Sequence, residues 1–200
     1  MPAIPSPLGD YPEIFSEARH YPTGRLDDFQ RHKVRLWGTY VLGVGALGDV
    51  GISGLWRVES GRTYSLRSAN RALSATQLGL GSGYASLPIS QTIYFGERGS
   101  ESFAGYGAFD MALSYEVPVF KSLRPWIKLE VYNLFKNEKL IRWNTTVTPD
   151  PNSPLDELGL RTGYIEGPNF GKSEADTNFP RPFVGQTGGR YFQVAAGFKF

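Results

Sequence analysis

The chain has 200 residues, of which 40% are hydrophobic and 20% are charged, and its net charge is +2. This composition favours packed structure over disorder, and it has none of the basic excess that nucleic-acid binding requires. With no Cys and only two His, the sequence excludes disulfides, thiol nucleophiles and Cys-ligated metal centres.

The residue usage is typical of strands and turns rather than helices, because 24 Gly and 14 Pro accompany 13 Phe, 11 Tyr and 4 Trp. No apolar run approaches the roughly 20 residues of a transmembrane helix. The first 31 residues contain five Pro and no alternating pattern. Residues 1–31 are therefore predicted to be the tail of a loop that precedes the first strand, and they show no secretory signal pattern.

Five later segments alternate apolar and polar residues with the period of two that indicates β-strands. None of them has the three- and four-residue apolar spacing of a helix. The predicted strands are Lys33–Leu42, Val50–Glu59, Ala108–Val117, Trp126–Asn133 and Arg190–Phe200. The apolar side of each strand includes one of the residues Val34, Ile52, Met111, Leu129 and Val194. We expect these five sides to form one face of a sheet, in contact with the same surroundings.

Short and long connections alternate between the predicted strands. Gly43–Asp49 and Pro118–Pro125 can close hairpins, whereas 60–107 and 134–189 are long loops. Outer-membrane barrels show this asymmetry, with short periplasmic turns and long extracellular loops. Aromatic residues then fall near both interfaces, with Tyr40, Tyr115, Phe120, Trp126, Phe198 and Phe200 at one level and Tyr106, Phe109, Tyr132, Phe135 and Phe192 at the other.

A soluble β-sandwich is the main structural alternative, because its strands also alternate when one face packs on a core. The alternation by itself does not separate the two folds. The loop asymmetry and the terminal Phe198-Lys199-Phe200 favour the membrane barrel.

Several motifs suggest ligand chemistry, but their context does not support it. Gly43, Gly45 and Gly48 match a dinucleotide-binding pattern, yet a strand follows where that motif needs a helix, so a glycine-rich hairpin is predicted. The Gly79–Gly83 segment lacks the residues of a phosphate-binding loop. Calcium-type oxygen ligands without EF-hand spacing occur at Asp150, Asn152, Asp156 and Glu157.

No catalytic triad is recognisable, and His32 is interpreted as an interfacial cation beside Arg31 and Lys33. No catalytic, cofactor-binding or metal site is therefore predicted. The first long loop is rich in aromatic and Arg side chains that either contact an external ligand or serve loop packing and solubility. These residues are Tyr64, Arg67, Arg71, Tyr84, Tyr94, Arg98 and Phe103.

Four segments carry a family resemblance. They are Ser60–Tyr64, Phe109–Leu113, Val131–Asn137 and the closing Arg190–Phe200, with motif positions Gly61, Asp110, Asn133, Leu134 and Phe135. From about Phe29 onward the chain resembles the last barrel strands of TonB-dependent outer-membrane receptors, the Oar-like branch among them. It departs from the family pattern where a Pro is absent after Arg62 and where Lys136 precedes Asn137.

The resemblance implies an all-β fold: an antiparallel transmembrane β-barrel sector of about five to six strands over 32–200, with long extracellular loops. It implies the outer membrane of a Gram-negative bacterium, energised uptake of an unidentified scarce ligand, and no enzymatic activity. Its partners would be membrane lipid, the barrel-insertion machinery, which reads Phe192, Phe198 and Phe200 as an assembly signal, and TonB through a plug domain that this chain does not contain. No cofactor or nucleic acid is implied.

Five strands cannot close a barrel, because known single-chain bacterial barrels begin at about eight. We therefore expect the chain to be the C-terminal part of a longer receptor. Two other functions remain open from the sequence: a structural or adhesive barrel without energised uptake, and a soluble β-sandwich binding module.

Overall fold

The computed structural model describes residues 17–20, 22–75, 90–120, 122–157, 159–181 and 189–200. They form an all-β, antiparallel structure with one helical turn, Glu17–His20, and 3-10 turns at Gly45–Leu47 and Asp176–Asn178. The strands are β1 Lys33–Gly43, β2 Asp49–Glu59, β3 Thr63–Tyr64, β4 Arg67–Ala72, β5 Ser90–Tyr94, β6 Glu101–Ser102, β7 Tyr106–Glu116, β8 Arg124–Tyr132, β9 Val147–Pro149, β10 Tyr164–Glu166 and β11 Tyr191–Lys199. In this described part, no helix has the length and apolar character needed to cross a membrane.

Contacts divide the chain into two units. Unit 1 contains the described residues of Met1–Phe29, Arg62–Phe103 and Trp143–Lys172. Unit 2 contains those of Gln30–Gly61, Ala104–Arg142 and Ser173–Phe200. The predicted loops therefore supply most of unit 1, and the five predicted strands supply unit 2.

Unit 2 is one five-stranded antiparallel sheet in the order β1-β2-β7-β8-β11. All five strands predicted from alternation are confirmed, and each end lies within two residues of the predicted one. The hairpin predicted from the three glycines is also confirmed, since β1 passes through the 3-10 turn directly into β2. Neither edge strand has a further partner among the described residues, so the sheet is open at β1 and β11.

The register aligns the apolar residues of all five strands. One row across the sheet runs through Tyr40, Ile52, Leu113, Leu129 and Val194. Because successive residues of a strand point to opposite faces, this alignment gives the sheet one apolar and one polar face.

Unit 1 contains three two-stranded sheets that pair β3 with β6, β4 with β5 and β9 with β10. These strands are two to six residues long, too short for alternation to reveal them in the sequence. Their core is formed by the buried side chains of Leu66, Ile93, Tyr94, Phe103, Val147 and Leu160. The long predicted loops are therefore structured where they are described.

Candidate functional site

The apolar face of the unit 2 sheet carries no charged residue. It comprises Val34, Leu36, Gly38, Tyr40 and Leu42 of β1; Val50, Ile52, Gly54, Trp56 and Val58 of β2; Gly107, Phe109, Met111, Leu113 and Tyr115 of β7; Pro125, Ile127, Leu129 and Val131 of β8; and Phe192, Val194, Ala196 and Phe198 of β11. Most of its large side chains are exposed, among them Leu36 at 55% and Val194 at 65%. No second layer of described residues covers this face, which is the opposite of what a β-sandwich requires.

Aromatic side chains lie near both ends of the apolar face. Phe109 and Phe192 lie near the ends joined by long connections, and Tyr40, Tyr115 and Phe198 lie near the ends joined by short turns. Trp56, which pairs with Phe109, also lies near the ends joined by long connections. It is on the apolar face, as the alternation in β2 predicts.

The sequence predicts the level of each aromatic residue along the strands, and the register adds the face on which each ring lies. Trp126, Tyr106 and Tyr132 belong to the polar face, because the register pairs them with residues of that face. Their partners are Gly197, Glu59 and Tyr191. Trp126 lies over Gly197, where a Cβ would come within 2.8 Å of the indole. This aromatic cover of a strand glycine accounts for the position of Trp126 on that face. Phe120 and Phe135 lie outside the strands.

The charged residues of the sheet lie on its polar face, and most of them form ion pairs. Lys128 Nζ is 2.7 Å from Glu130 Oε1, and Lys199 and Arg124 both contact the Glu116 carboxylate. An open depression of about 260 Å³ on this sheet reaches from Trp37 to Tyr132. The face is not uniformly polar, because Trp37 of the edge strand is 80% exposed.

Asp110 is the centre of a buried network on the polar face. Its carboxylate forms an ion pair with Arg57 Nη2 at 2.9 Å and accepts a hydrogen bond from the backbone N–H of Asn133 at 2.8 Å. Arg57 also donates to the carbonyl of Arg181 at 3.3 Å, and its buried Nε has no hydrogen-bond partner among the described residues. The network therefore joins β2, β7 and the turn that follows β8.

Asn133 fixes that turn with its side chain. It has φ +53° and is 2% exposed. Its Nδ2 donates to the carbonyls of Asn137 at 3.0 Å and Gly189 at 3.1 Å, and its Oδ1 accepts from the Asn137 N–H at 2.8 Å. Asn137 in turn donates to the Gly107 carbonyl at 2.7 Å. Asn is suited to this position, because it tolerates left-handed backbone and bonds locally.

The remaining motif positions lie around the same end of the sheet. The N–H of Leu134 donates to the Phe109 carbonyl at 2.7 Å, and the rings of Phe135 and Phe109 are 5.9 Å apart. Gly61 follows β2, and Gly105 lies so close that a Cβ there would be 3.1 Å from Gly61 N. The structure thus brings Asp110, Asn133 and Leu134 together in one network.

The three residues of the predicted assembly signal lie on or after β11. Phe192 and Phe198 are on the apolar face and are 66% and 65% exposed. Phe200 follows the strand and is 94% exposed.

The aromatic residues of the first long loop form part of the unit 1 core. The Tyr64 ring lies 4.5 Å from that of Phe103 and 6.1 Å from that of Trp143. Burial, followed by the negative charge of Glu101, raises the pKa of Tyr64 above its ordinary value, so its phenol is neutral at physiological pH. Trp143 was not predicted, because it lies far from Tyr64 in the sequence.

The other loop residues are separate or already paired. Arg67 lies 3.5 Å from Asp27, and Tyr94 is buried. Arg98 bridges to Gly24 through backbone, whereas Tyr84 and the Gly79–Gly83 segment lie outside the described residues.

Two of the four possible calcium ligands in the second loop, Asp150 and Asp156, bind other groups of the protein through their carboxylates. Asp150 Oδ1 accepts the Asn152 N–H, and Asp156 pairs with Arg19 at 3.1 Å while accepting the Leu160 N–H. Within the described ranges, no three His, Asp or Glu side chains are grouped as metal ligands. The backbone N–H of His32, just before β1, donates to Ser60 Oγ. This bond holds the start of β1 next to the end of β2.

Comparisons with protein-family models, curated proteins and solved structures found no match to this chain. The receptor resemblance therefore stays a prediction from its motifs. The observations that bear on function are the apolar and polar faces of the unit 2 sheet.

Proposed function

We propose that this chain forms a lipid-facing sector of an outer-membrane β-barrel receptor. The unit 2 sheet would be part of the barrel wall, with its apolar face toward lipid and its polar face toward the interior. The segments of unit 1 would belong to the extracellular loops.

The observation that carries this proposal is the uncovered apolar face. Its residues are exposed without a charged group among them, across five adjacent strands. Soluble monomers rarely expose a contiguous apolar patch larger than a few hundred Å². In a bilayer the same surface is favourable, because its apolar side chains contact lipid tails instead of water.

Strand length and face polarity support the same assignment. The five strands have 11, 11, 11, 9 and 9 residues. A tilted strand needs about 9–11 residues to cross a bilayer. The ion pairs of Lys128 with Glu130 and of Arg57 with Asp110 lie on the opposite face, as expected for a polar barrel interior.

The open edges at β1 and β11 require further strands in this proposal. An unpaired backbone group in lipid costs several kcal/mol, so additional strands would have to complete the wall. The resembled transporters close at about 22 strands. Energised uptake through a plug and TonB rests on the resemblance alone.

Membrane fractionation of the natural protein in its host tests the proposal. We expect it in the outer-membrane fraction after a carbonate wash, and we expect unheated and boiled samples to migrate differently on a denaturing gel. A water-soluble protein with migration unaffected by boiling would contradict the barrel and favour a soluble binding module. A coding region without a plug domain would support the structural or adhesive alternative.

A further inference from the structure

A small cavity in unit 1 combines two arginines with aliphatic side chains in its lining. It has a volume of about 160 Å³, and its described lining includes Arg71, Arg161, Leu73, Ile93, Pro149 and Leu160. None of the described lining residues is acidic. All of them belong to unit 1, so the cavity is independent of the sheet in unit 2.

A β-bulge directs Arg71 to the cavity side of its strand. Ser68 pairs with Ile93 and Arg71 pairs with Gln91, so β4 has one extra residue between these two pairs. Asn70, inside the bulge, has φ +52°. Because the extra residue reverses the alternation, Arg71 shares the side of Ile93. Bulges are known to re-aim side chains in this way beside functional sites.

Hydrogen bonds of the loop after β9 hold Arg161 in place. Arg161 Nη1 donates to the Ser153 carbonyl at 2.6 Å, and Arg161 also forms a backbone bridge with Leu155. The preceding Leu160 is anchored by its N–H to Asp156 Oδ1 at 2.8 Å. The Arg161 guanidinium is thus positioned by one hydrogen bond, and a guanidinium has four further N–H donors.

Neither arginine of the cavity forms an ion pair with another described residue. Within the described part of the chain, the Arg71 side chain forms no hydrogen bond and no ion pair, whereas its backbone pairs with Gln91. Asp156, the acidic residue next to Leu160 in the loop network, is already paired with Arg19 at 3.1 Å. An anionic group in the cavity would therefore meet two arginines that have no carboxylate partner among the described residues.

We propose that this cavity binds the carboxylate of a small aliphatic acid, with Arg71 and Arg161 holding the anion. The planar guanidinium matches a carboxylate in two-point hydrogen bonding. The walls of Leu73, Ile93 and Leu160 favour an alkyl group over a fully polar anion such as phosphate. The cavity holds at least about five water-sized groups, which fits a short branched acid or the C-terminal residue of a peptide.

Calorimetric titration of the full chain in a non-ionic detergent tests this proposal. The probes are isovalerate, its neutral isostere isovaleramide, acetyl-glycyl-leucine and inorganic phosphate. We expect isovalerate to bind at least about tenfold more tightly than isovaleramide, because the amide has no negative charge and only one acceptor oxygen for the two arginines. Stronger binding of acetyl-glycyl-leucine than of isovalerate would identify a peptide terminus as the source of the carboxylate, and the reverse would identify a free acid.

Variants locate the site. Arg71→Gln and Arg161→Gln should each weaken isovalerate binding by about tenfold or more, whereas Arg71→Lys should retain part of it. Arg62→Gln, an exposed arginine of the same unit that pairs with Asp28 at 3.9 Å, is the matched control and should bind as the natural chain does. Equal binding of acid and amide, phosphate binding as tight as isovalerate binding, or insensitivity to Arg71 and Arg161 would each overturn the proposal.

The comparison of acid with amide uses the natural chain, so the test stands even where a variant does not fold. It is also separate from the membrane proposal. A chain that fractionates with membranes but ignores isovalerate contradicts only the cavity proposal, and a soluble chain that binds isovalerate contradicts only the barrel.

Discussion

At the scale of single residues, Asn133 has the largest structural role among the motif positions. It combines a left-handed backbone with three side-chain hydrogen bonds in a 2% exposed environment. An amide side chain can act as donor and acceptor at once, which no apolar substitute can reproduce. Removing it would leave the Gly189 carbonyl and the Asn137 N–H without these partners.

We predict that Asn133→Ala lowers the free energy of unfolding by about 3 kcal/mol, from lost buried hydrogen bonds and left-handed strain. Asn133→Gly should cost about 1 kcal/mol less, since glycine removes only the strain. Urea titration followed by Trp fluorescence in detergent measures both.

Lys136 provides the control for Asn133, because it lies in the same turn with φ +52° but is exposed. Lys136→Ala should change stability by no more than about 0.5 kcal/mol. Equal losses at the two positions would show that backbone conformation alone, and not the Asn133 amide, stabilises the turn.

The Arg57–Asp110 pair should show strong coupling. Arg57→Met leaves the buried Asp110 carboxylate without its cation and should cost about 3–5 kcal/mol. Asp110→Asn retains an acceptor for the Asn133 N–H, so the double variant should lose less than the sum of the single losses, by about 1–3 kcal/mol. A double-mutant cycle measures this coupling energy, and strictly additive losses would contradict the pairing.

Only part of this network could be predicted from the sequence. The resemblance marked Asp110, Asn133 and Leu134 as special positions, but the sequence does not show what each one binds. Asn133 reaches Gly189 across 56 positions of chain, and such a contact depends on the pairing of β8 with β11 rather than on any local pattern.

At the scale of elements, the long strands were predictable because their alternation extends over nine or more residues. The register then added information that no single strand contains, namely that all five apolar sides coincide. The pairs in unit 1 were not predictable, because two-residue strands such as β3 and β6 have no measurable period. The β4 bulge also breaks the alternation that would have marked Arg71.

Adjacent positions on β11 should lose very different amounts of stability when a charge is introduced. Val194 and Gln193 are both exposed, but Val194 is on the apolar face and Gln193 on the polar face. In lipid, Val194→Arg should lower the free energy of unfolding by about 2–4 kcal/mol, because it places a cation among the tails.

Gln193→Arg is the matched control for Val194→Arg and should cost less than about 1 kcal/mol on the polar face. Urea titrations of both variants in phospholipid vesicles provide the comparison. Equal small effects would indicate that water, and not lipid, surrounds Val194.

At the scale of the whole molecule, the two units place different demands on their surroundings. Unit 1 has its own buried core, with Val147 at 1% and Ile93 at 4% exposure. Unit 2 has a sheet whose apolar side remains uncovered among the described residues and whose two edges are unpaired. The central claim is therefore that lipid covers the apolar face.

The absence of cysteine from the chain makes that claim directly measurable, since each single-cysteine variant carries one thiol. We propose labelling native membranes with a water-soluble maleimide at Val194→Cys and Ala196→Cys on the apolar face, and at Gln193→Cys and Ala195→Cys on the polar face. Glu166→Cys, an exposed position of β10, controls for reagent access. The lipid-facing sheet predicts that 194 and 196 stay unlabelled until the membrane is dissolved, while 193 and 195 react beforehand; equal labelling of 193 and 194 in intact membranes would contradict it.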